Sequence, residues 1–261
     1  MRTLAGKNAI LIGTKRVGAV VAQRLAAEGI NQAIVYRNSR SEAESLAAEV
    51  GSVVERTVVV QANASIEEDV QRATTEAAEA LGGIDFLVNM ASDFQRVPFD
   101  LLNAEAWDRS MAAAKGAYLL SVHAARHMSQ NDGPTRGHII NFGDWAAGET
   151  VYSGYLPYMT AKAAIHFMTR AFATELAGRG ILVNAIAPGP TMRPPDIALK
   201  DWEEAVIRQT PLQRESSAEE IAAIVAMLLK AESTTGEVIR VDAGRHLVGP
   251  GIAASGTLSP S

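Results

Sequence analysis

Cysteine is absent from the 261 residues of the chain. This absence excludes disulfide bonds, thiolate nucleophiles and cysteine-ligated metals. Long apolar runs are also absent: the longest candidate, 221–229, falls far short of the roughly 18 residues that a membrane-spanning helix needs. The amino terminus has no apolar stretch of signal-peptide length. We therefore expect a cytoplasmic protein.

The net charge is small and acidic. The chain has 24 basic and 29 acidic residues, a balance of −5, which argues against nucleic acid or an anionic membrane as the main partner. Hydrophobic residues make up 48% and charged residues 20%, so a disordered or fibrous chain is excluded. We expect one domain over 1–250 that binds a small-molecule substrate. Gly, Ser and Pro in 251–261 predict a weakly ordered tail.

Short aliphatic runs alternate with longer, Ala- and Glu-rich helical segments. Near-continuous apolar strands are typical of a parallel sheet covered on both faces, so the pattern predicts an α/β fold with a single-domain, doubly wound parallel sheet. The predicted strands are 9–12, 33–36, 53–60, 84–88, 138–142, 181–185 and 237–241. The predicted helices are 18–28, 41–50, 65–80, 105–129, 156–177 and 217–230.

A small-residue loop connects the first predicted strand to the first helix. In the run Gly13-Thr14-Lys15-Arg16-Val17-Gly18, the glycines would let backbone amides approach a pyrophosphate at the helix amino terminus. Lys15 and Arg16 favour a polyanionic cofactor beside these amides. The alternative is an ordinary turn between a strand and a helix, because the spacing of the glycines matches no complete nucleotide-binding fingerprint.

The end of the second predicted strand lacks a carboxylate. NAD-selective dinucleotide folds place an acidic residue here for the ribose hydroxyls, whereas this chain has Tyr36-Arg37-Asn38-Ser39-Arg40. Arg37 and Arg40 can pair with a 2′-phosphate, and Ser39 can donate a hydrogen bond to it. The sequence therefore favours NADP (NADPH) over NAD. The alternative is that both arginines are solvated turn residues.

Tyr158 and Lys162 lie one helical turn apart on the same predicted helix face. An ammonium near a phenol stabilises phenolate, so we expect Lys162 to lower the pKa of Tyr158 toward working pH. Such a pair suits proton donation during carbonyl or imine reduction. Taken alone, a Tyr and a Lys at this spacing are more often structural surface residues.

Several further segments, taken with the glycine loop and the Tyr158 and Lys162 pair, make the chain similar to the short-chain dehydrogenase/reductase family. The segment from Asn89 to Ser92, Asn141 and the pair Pro188-Gly189 match family motifs. The resemblance implies a Rossmann fold with strand order 3-2-1-4-5-6-7 and a homotetramer. It implies cofactor contacts from Gly13, Lys15, Arg16, Gly18, Tyr36, Arg37, Asn38, Ser39, Asn63, Asn89, Ala91, Ser92, Tyr158, Lys162, Pro188, Gly189 and Thr191.

Within this family the chain most resembles the pteridine reductases. The matches are Lys15-Arg16-Val17-Gly18, the run from Met90 to Phe94, the late segment 211–219, and Asp144 where most relatives carry a catalytic serine. The resemblance implies Tyr158, Lys162 and Asp144 as catalytic residues. It implies substrate contacts from Arg16, Ser92, Phe94, Asp144 and Tyr158.

Each of these finer roles has an alternative. Asp144 needs a raised pKa to donate a proton, and it is otherwise a solvated loop residue in a ketone or 3-oxoacyl reductase. Phe94 either stacks on a flat heteroaromatic ring or anchors its loop. Departures from the family pattern at Ile12, Met90 and Ala113 leave open a cofactor-binding protein that has lost turnover.

Two other features complete the sequence interpretation. The proline-rich run after the sixth strand leads us to interpret 188–210 as a substrate lid, with a rigid connector as the alternative. His123 and His127 have the i,i+4 spacing of metal ligands, but no nearby motif supplies a third ligand. We therefore expect no metal site.

Overall fold

The computed structural model describes residues 3–148 and 150–248. The predicted tail at 251–261 lies outside these residues. The strands are β1 (Asn8–Ile12), β2 (Asn31–Tyr36), β3 (Thr57–Gln61), β4 (Phe86–Asn89), β5 (Gly137–Phe142), β6 (Ile181–Pro188) and β7 (Val238–Val241). The α-helices are α1 (Val17–Ala27), α2 (Arg40–Gly51), α3 (Glu67–Leu81), α4 (Ala104–Met128), α5 (Leu156–Leu176), α6 (Leu199–Ala205) and α7 (Ala218–Lys230).

The seven strands form one parallel sheet in the order β3-β2-β1-β4-β5-β6-β7, which confirms the predicted fold class and strand order. Five of the strands have at most one residue that is not fully buried, because helices cover both faces of the sheet. One core joins the sheet to α1, α2 and α7. The other joins it to α3, α4 and α5.

One strand begins later than the sequence predicts. The β-branched run led to a strand over 53–60, but β3 is Thr57–Gln61 and Val53 is 63% exposed. The amide of Val53 donates to the carbonyl of Val50, so this stretch closes the end of α2 before the chain enters the sheet. The propensity of valine for strands was therefore overridden by a local turn.

The loops that follow the carboxyl ends of the strands gather at one edge of the sheet. The strand order reverses between β1 and β4, which is where open α/β sheets form a ligand-binding crevice. None of the helices among the described residues has the length and hydrophobicity needed to cross a bilayer. The candidate site therefore lies at this edge, in the loops after β1, β2, β4, β5 and β6.

Candidate functional site

The loop after β1 requires glycine at two positions. Gly13 has φ +78°, and a Cβ there would lie 2.5 Å from the backbone nitrogen of Ala91. A Cβ on Gly18 would lie 2.2 Å from the carbonyl oxygen of Gly13. Helix α1 begins directly after this loop without a side-chain cap. No side chain therefore caps the first backbone amides of α1. A helix start without such a cap can bind an anion.

The two cations of this loop are engaged by other parts of the protein. The ammonium of Lys15 lies 3.0 Å from Oε1 of Glu42 on α2. The guanidinium of Arg16 donates to the carbonyl oxygen of Met192, which follows β6. The family resemblance implies that Arg16 contacts both the cofactor and the substrate. In this structure it ties the glycine loop to the segment predicted as a lid.

A cavity of about 490 Å³ lies at the carboxyl ends of β2 and β3. Two hydrogen bonds connect residues that line this cavity. Gln61 donates to the carbonyl of Arg37 at 3.1 Å, and Asp69 accepts from the amide of Asn63 at 2.9 Å. Arg40 is not among its lining residues. The cavity is lined by Arg37, Asn38, Gln61, Ala62, Asn63, Asp69 and Arg72.

The two arginines predicted to bind a 2′-phosphate therefore have different surroundings. Arg37 lines the cavity, whereas Nε of Arg40 pairs with Glu44 at 2.8 Å in the first turns of α2. Arg72 of α3 supplies a cation that sequence analysis missed, and it donates to the carbonyl of Gln61 at 2.7 Å. Tyr36 is the last residue of β2. Ser39 occupies the N-cap position of α2, and its side chain makes no capping hydrogen bond.

Asn89 fixes the loop after β4. Its side chain donates to Oδ1 of Asn141 at 3.3 Å and accepts from the amide of Ala91 at 3.2 Å. The departures at Ile12 and Met90 are both buried, each in one of the two cores. These apolar side chains therefore contribute to packing where relatives carry other residues.

Tyr158 and Asp144 meet directly at the end of β5. The Tyr158 hydroxyl donates to Oδ2 of Asp144 at 2.8 Å, and Oδ1 accepts from the amide of Ala146 at 2.9 Å. Lys162 donates to the carbonyl of Phe142 at 2.8 Å, and its ammonium lies 5.8 Å from the centre of the Tyr158 ring. The three predicted catalytic side chains are all buried.

Burial dominates the protonation behaviour of this cluster. It raises the pKa of Asp144, the direction that proton donation by this carboxyl requires, and it lowers the pKa of Lys162 to about 8. The expectation that Lys162 lowers the pKa of Tyr158 was wrong. Burial and the neighbouring Asp144 charge raise the Tyr158 pKa, and they outweigh a hydrogen bond with Ser92 that lowers it.

Phe94 lies beside Tyr158. Its ring makes an edge contact with Tyr158 at 5.0 Å and stacks on Tyr155 at 4.6 Å with an interplanar angle of 20°. The Phe94 side chain is nevertheless 60% exposed. It therefore presents an accessible aromatic surface next to Tyr158.

Tyr152 belongs to the site although the sequence assigned it no role. Its hydroxyl donates to Oδ2 of Asp144 at 3.2 Å, and its ring stacks on Trp145. A signal was available: Tyr152, Tyr155 and Tyr158 recur at every third position, and the structure brings them into one aromatic cluster.

The loop after β6 closes the other side of the site. The carbonyl of Pro188 accepts from the amide of Trp145 at 3.2 Å, and Thr191 donates to the carbonyl of Gly189 at 2.9 Å. A Cβ on Gly189 would lie 2.5 Å from Cα of Asp242, so this backbone passes close to the residue that follows β7.

The paired histidines of α4 have separate surroundings. His123 is buried, with Nε2 3.3 Å from Oε1 of Glu67, and burial lowers the pKa of His127. Across 3–148 and 150–248, no group of three or more His, Asp or Glu side chains is arranged to hold a metal ion.

Comparisons with known proteins agree with this architecture. Residues 13–246 match a family model described as enoyl-(acyl carrier protein) reductase. The chain is 31% identical over 246 residues to the 3-oxoacyl-(acyl-carrier-protein) reductase FabG of Staphylococcus aureus, covering 92% of this chain and 98% of that protein.

Two solved structures extend the comparison. A short-chain dehydrogenase from Burkholderia cenocepacia in complex with NADP has a TM-score of 0.84 at 32% identity, covering 94% of this chain and 99% of the other. FolM alternative dihydrofolate reductase 1 from Brucella canis, complexed with NADP, has a TM-score of 0.85 at 30% identity, covering 98% and 100%. The chain belongs to the short-chain dehydrogenase/reductase family.

Proposed function

We propose that this protein is an NADPH-dependent reductase that acts on a pterin-like heterocycle. The observation that carries the proposal is the buried Asp144 carboxyl, hydrogen-bonded at 2.8 Å to the Tyr158 hydroxyl. Burial raises the pKa of this carboxyl, which favours the protonated form that could give a proton toward a ring nitrogen. A serine hydroxyl at this position would only orient a carbonyl oxygen.

The residues present fit NADPH. Gly13 and Gly18 let the chain pack closely between β1 and α1, because a Cβ at either would collide with backbone, and the loop leads to a helix start without a side-chain cap, where a pyrophosphate can bind. Arg37 lines the cavity at the ends of β2 and β3, where no carboxylate closes β2, and its guanidinium suits a 2′-phosphate. The NADP complexes of the Burkholderia and Brucella proteins support this assignment.

In the proposed reaction, NADPH supplies a hydride to a ring carbon beside nitrogen. Tyr158 donates the proton that completes reduction of the carbon–nitrogen double bond, and Asp144 shares that proton through the 2.8 Å hydrogen bond. Lys162, held by the carbonyl of Phe142, is the residue we assign to the nicotinamide ribose. Phe94 offers its exposed ring face to the flat substrate.

A second candidate is 3-oxoacyl or ketone reduction. Its specific support is the 31% identity to the Staphylococcus aureus FabG protein. A solvated Asp144 and a Phe94 turned away from the site would favour this alternative. Here Asp144 is 7% exposed, and the Phe94 ring contacts Tyr158. These two observations support the pterin proposal, and FolM is a structural relative consistent with it.

The test is a screen for NADPH oxidation with dihydropterin, quinonoid pterin, dihydrofolate, quinone, ketone and 3-oxoacyl substrates. Tyr158→Phe serves as the control that lacks the proposed proton donor. Turnover of a pterin that Tyr158→Phe loses supports the proposal. Turnover of ketones or 3-oxoacyl compounds alone supports the second candidate, and binding of NADPH with no turnover indicates a cofactor-binding protein.

A further inference from the structure

Asp144 has a second phenol bound to it besides that of Tyr158. Oδ2 accepts from the Tyr158 hydroxyl at 2.8 Å and from the Tyr152 hydroxyl at 3.2 Å. The other oxygen, Oδ1, accepts from the amide of Ala146 at 2.9 Å. One carboxylate oxygen thus joins two tyrosines while its partner oxygen is held by backbone.

The position of the Tyr152 ring is set by its neighbours. The ring stacks on Trp145, with centroids 6.1 Å apart and planes at 26°, and it makes an edge contact with Tyr155 at 5.0 Å. Tyr152 packs against the small core of Trp145, Ala146, Ala147, Tyr158 and Met159. Its hydroxyl is therefore directed at Asp144 by packing on several sides.

We propose that Tyr152 is a positioning residue that holds Oδ2 of Asp144 and directs the proton of this carboxyl toward Tyr158. Oδ1 is held by the Ala146 amide, so Oδ2 is the oxygen of Asp144 that faces both phenols. While one lone pair of Oδ2 accepts from Tyr152, the other faces Tyr158, so a proton carried by Oδ2 points at Tyr158 once that phenol has given its own proton to substrate. The proposal rests on the role given to Asp144 in the proposed function.

The charged and titratable groups that face Asp144 come from its own loop and from α5. Tyr152 lies in the loop. From α5 come Tyr158, Lys162, whose charge favours an ionised Asp144, and His166, whose Nε2 accepts from the Asp144 amide at 3.3 Å. Burial lowers the pKa of His166 to about 4, so this ring is neutral near pH 7. Tyr152 is therefore a neutral donor among these groups.

Removal of the Tyr152 hydroxyl has a defined consequence. A hydroxyl that donates to a carboxylate favours its ionised form, so Tyr152→Phe raises the pKa of Asp144 while leaving the ring stacked on Trp145. Tyr118→Phe is a matched control, because it removes a phenol hydroxyl from the half-exposed Tyr118 on α4, which packs against Phe172.

Infrared titration of the protein without substrate gives the first readout. The carbonyl band of protonated Asp144 is identified as the band that Asp144→Asn lacks. We expect its midpoint to move upward by about half to one pH unit in Tyr152→Phe and to stay unchanged in Tyr118→Phe. An unchanged midpoint in Tyr152→Phe, or no titrating band in wild type, would overturn the proposal.

Kinetics give the second readout. In Tyr152→Phe we expect kcat at the optimum to fall about fivefold, the size expected for one lost hydrogen bond, with the KM for NADPH unchanged. The loss of activity at high pH should move upward with the Asp144 midpoint, whereas simple loosening of the loop would leave the profile in place. If wild type reduces no substrate, the proposed function fails and the infrared titration alone decides the role of Tyr152.

Discussion

The hydroxyl of Tyr158 donates a 2.8 Å hydrogen bond to Oδ2 of Asp144, and both side chains are buried. This contact places a carboxyl with a raised pKa against the proposed proton donor. The chemistry we propose for the site depends on this pair.

Replacing the proton donor should separate catalysis from cofactor binding. We expect Tyr158→Phe to reduce turnover by roughly two orders of magnitude or more, because the phenol proton is lost while the ring remains. Affinity for NADPH, measured by fluorescence titration, should stay within a factor of about two. Turnover like that of wild type would refute the role of Tyr158.

Cofactor choice should depend on Arg37. Wild type should bind NADPH at least tenfold more tightly than NADH, a difference of about 1.4 kcal/mol. Arg37→Ala should lose most of this preference because Arg37 lines the cavity after β2. Arg40→Ala is the matched control, since Arg40 pairs with Glu44 instead. Equal affinities of wild type for the two cofactors would contradict the assignment.

The glycine loop should tolerate no side chain at position 18. In Gly18→Ala the new Cβ meets the Gly13 carbonyl oxygen at 2.2 Å, so the start of α1 must move. We expect affinity for NADPH to fall by at least tenfold, about 1.4 kcal/mol. Gly178→Ala is the control because its Cβ would meet nothing within 4 Å. Equal NADPH affinity in the two variants would show that the loop does not hold the cofactor.

The buried Lys162 should lower the free energy of unfolding of the protein. Burial lowers its pKa from 10.5 to about 8, which corresponds to roughly 3 kcal/mol at pH 7. Since Lys162→Met also loses the hydrogen bond to Phe142, worth about 1 kcal/mol, it should be more stable than wild type by about 2 kcal/mol while losing activity. Denaturant unfolding without cofactor measures this difference.

The stabilisation by Lys162→Met should depend on pH in a defined direction. Below about pH 8 the lysine is charged in both states, so the full cost of burying the charge is present. Between about pH 8 and 10.5 the folded chain has released a proton that the unfolded chain still binds, so this cost declines as pH rises. A stability difference that is constant over this range would contradict the burial argument.

The fold followed from the sequence because a parallel sheet covered on both faces needs apolar strands, and those runs are visible in the chain. The start of β3 did not follow, since Val53 lies in an exposed turn despite its strand preference. Gly13 and Tyr158 were predicted from local motifs, and Asp144 was predicted from the family resemblance. Arg72 was missed because tertiary packing brings it to the cavity.

The direction of the pKa shift of Tyr158 also could not be predicted from the spacing of residues in the sequence. The i,i+4 spacing of Tyr158 and Lys162 predicted a lowered tyrosine pKa, but it carried no information on burial. Burial opposes ionisation of the phenol, and Asp144 adds a negative charge beside it. The depth of the pair in the fold therefore reversed the direction of the pKa shift.

The most direct measurement of the central claim compares Asp144→Ser with wild type on a dihydropterin and on a simple activated ketone. A protonated carboxyl can give a proton to a ring nitrogen, whereas a serine hydroxyl can hold a carbonyl oxygen. We predict that wild type reduces the pterin, and that Asp144→Ser loses most of this activity while ketone reduction is kept or improved. Equal changes in both activities, or a wild type that reduces ketones and no pterin, would contradict the account.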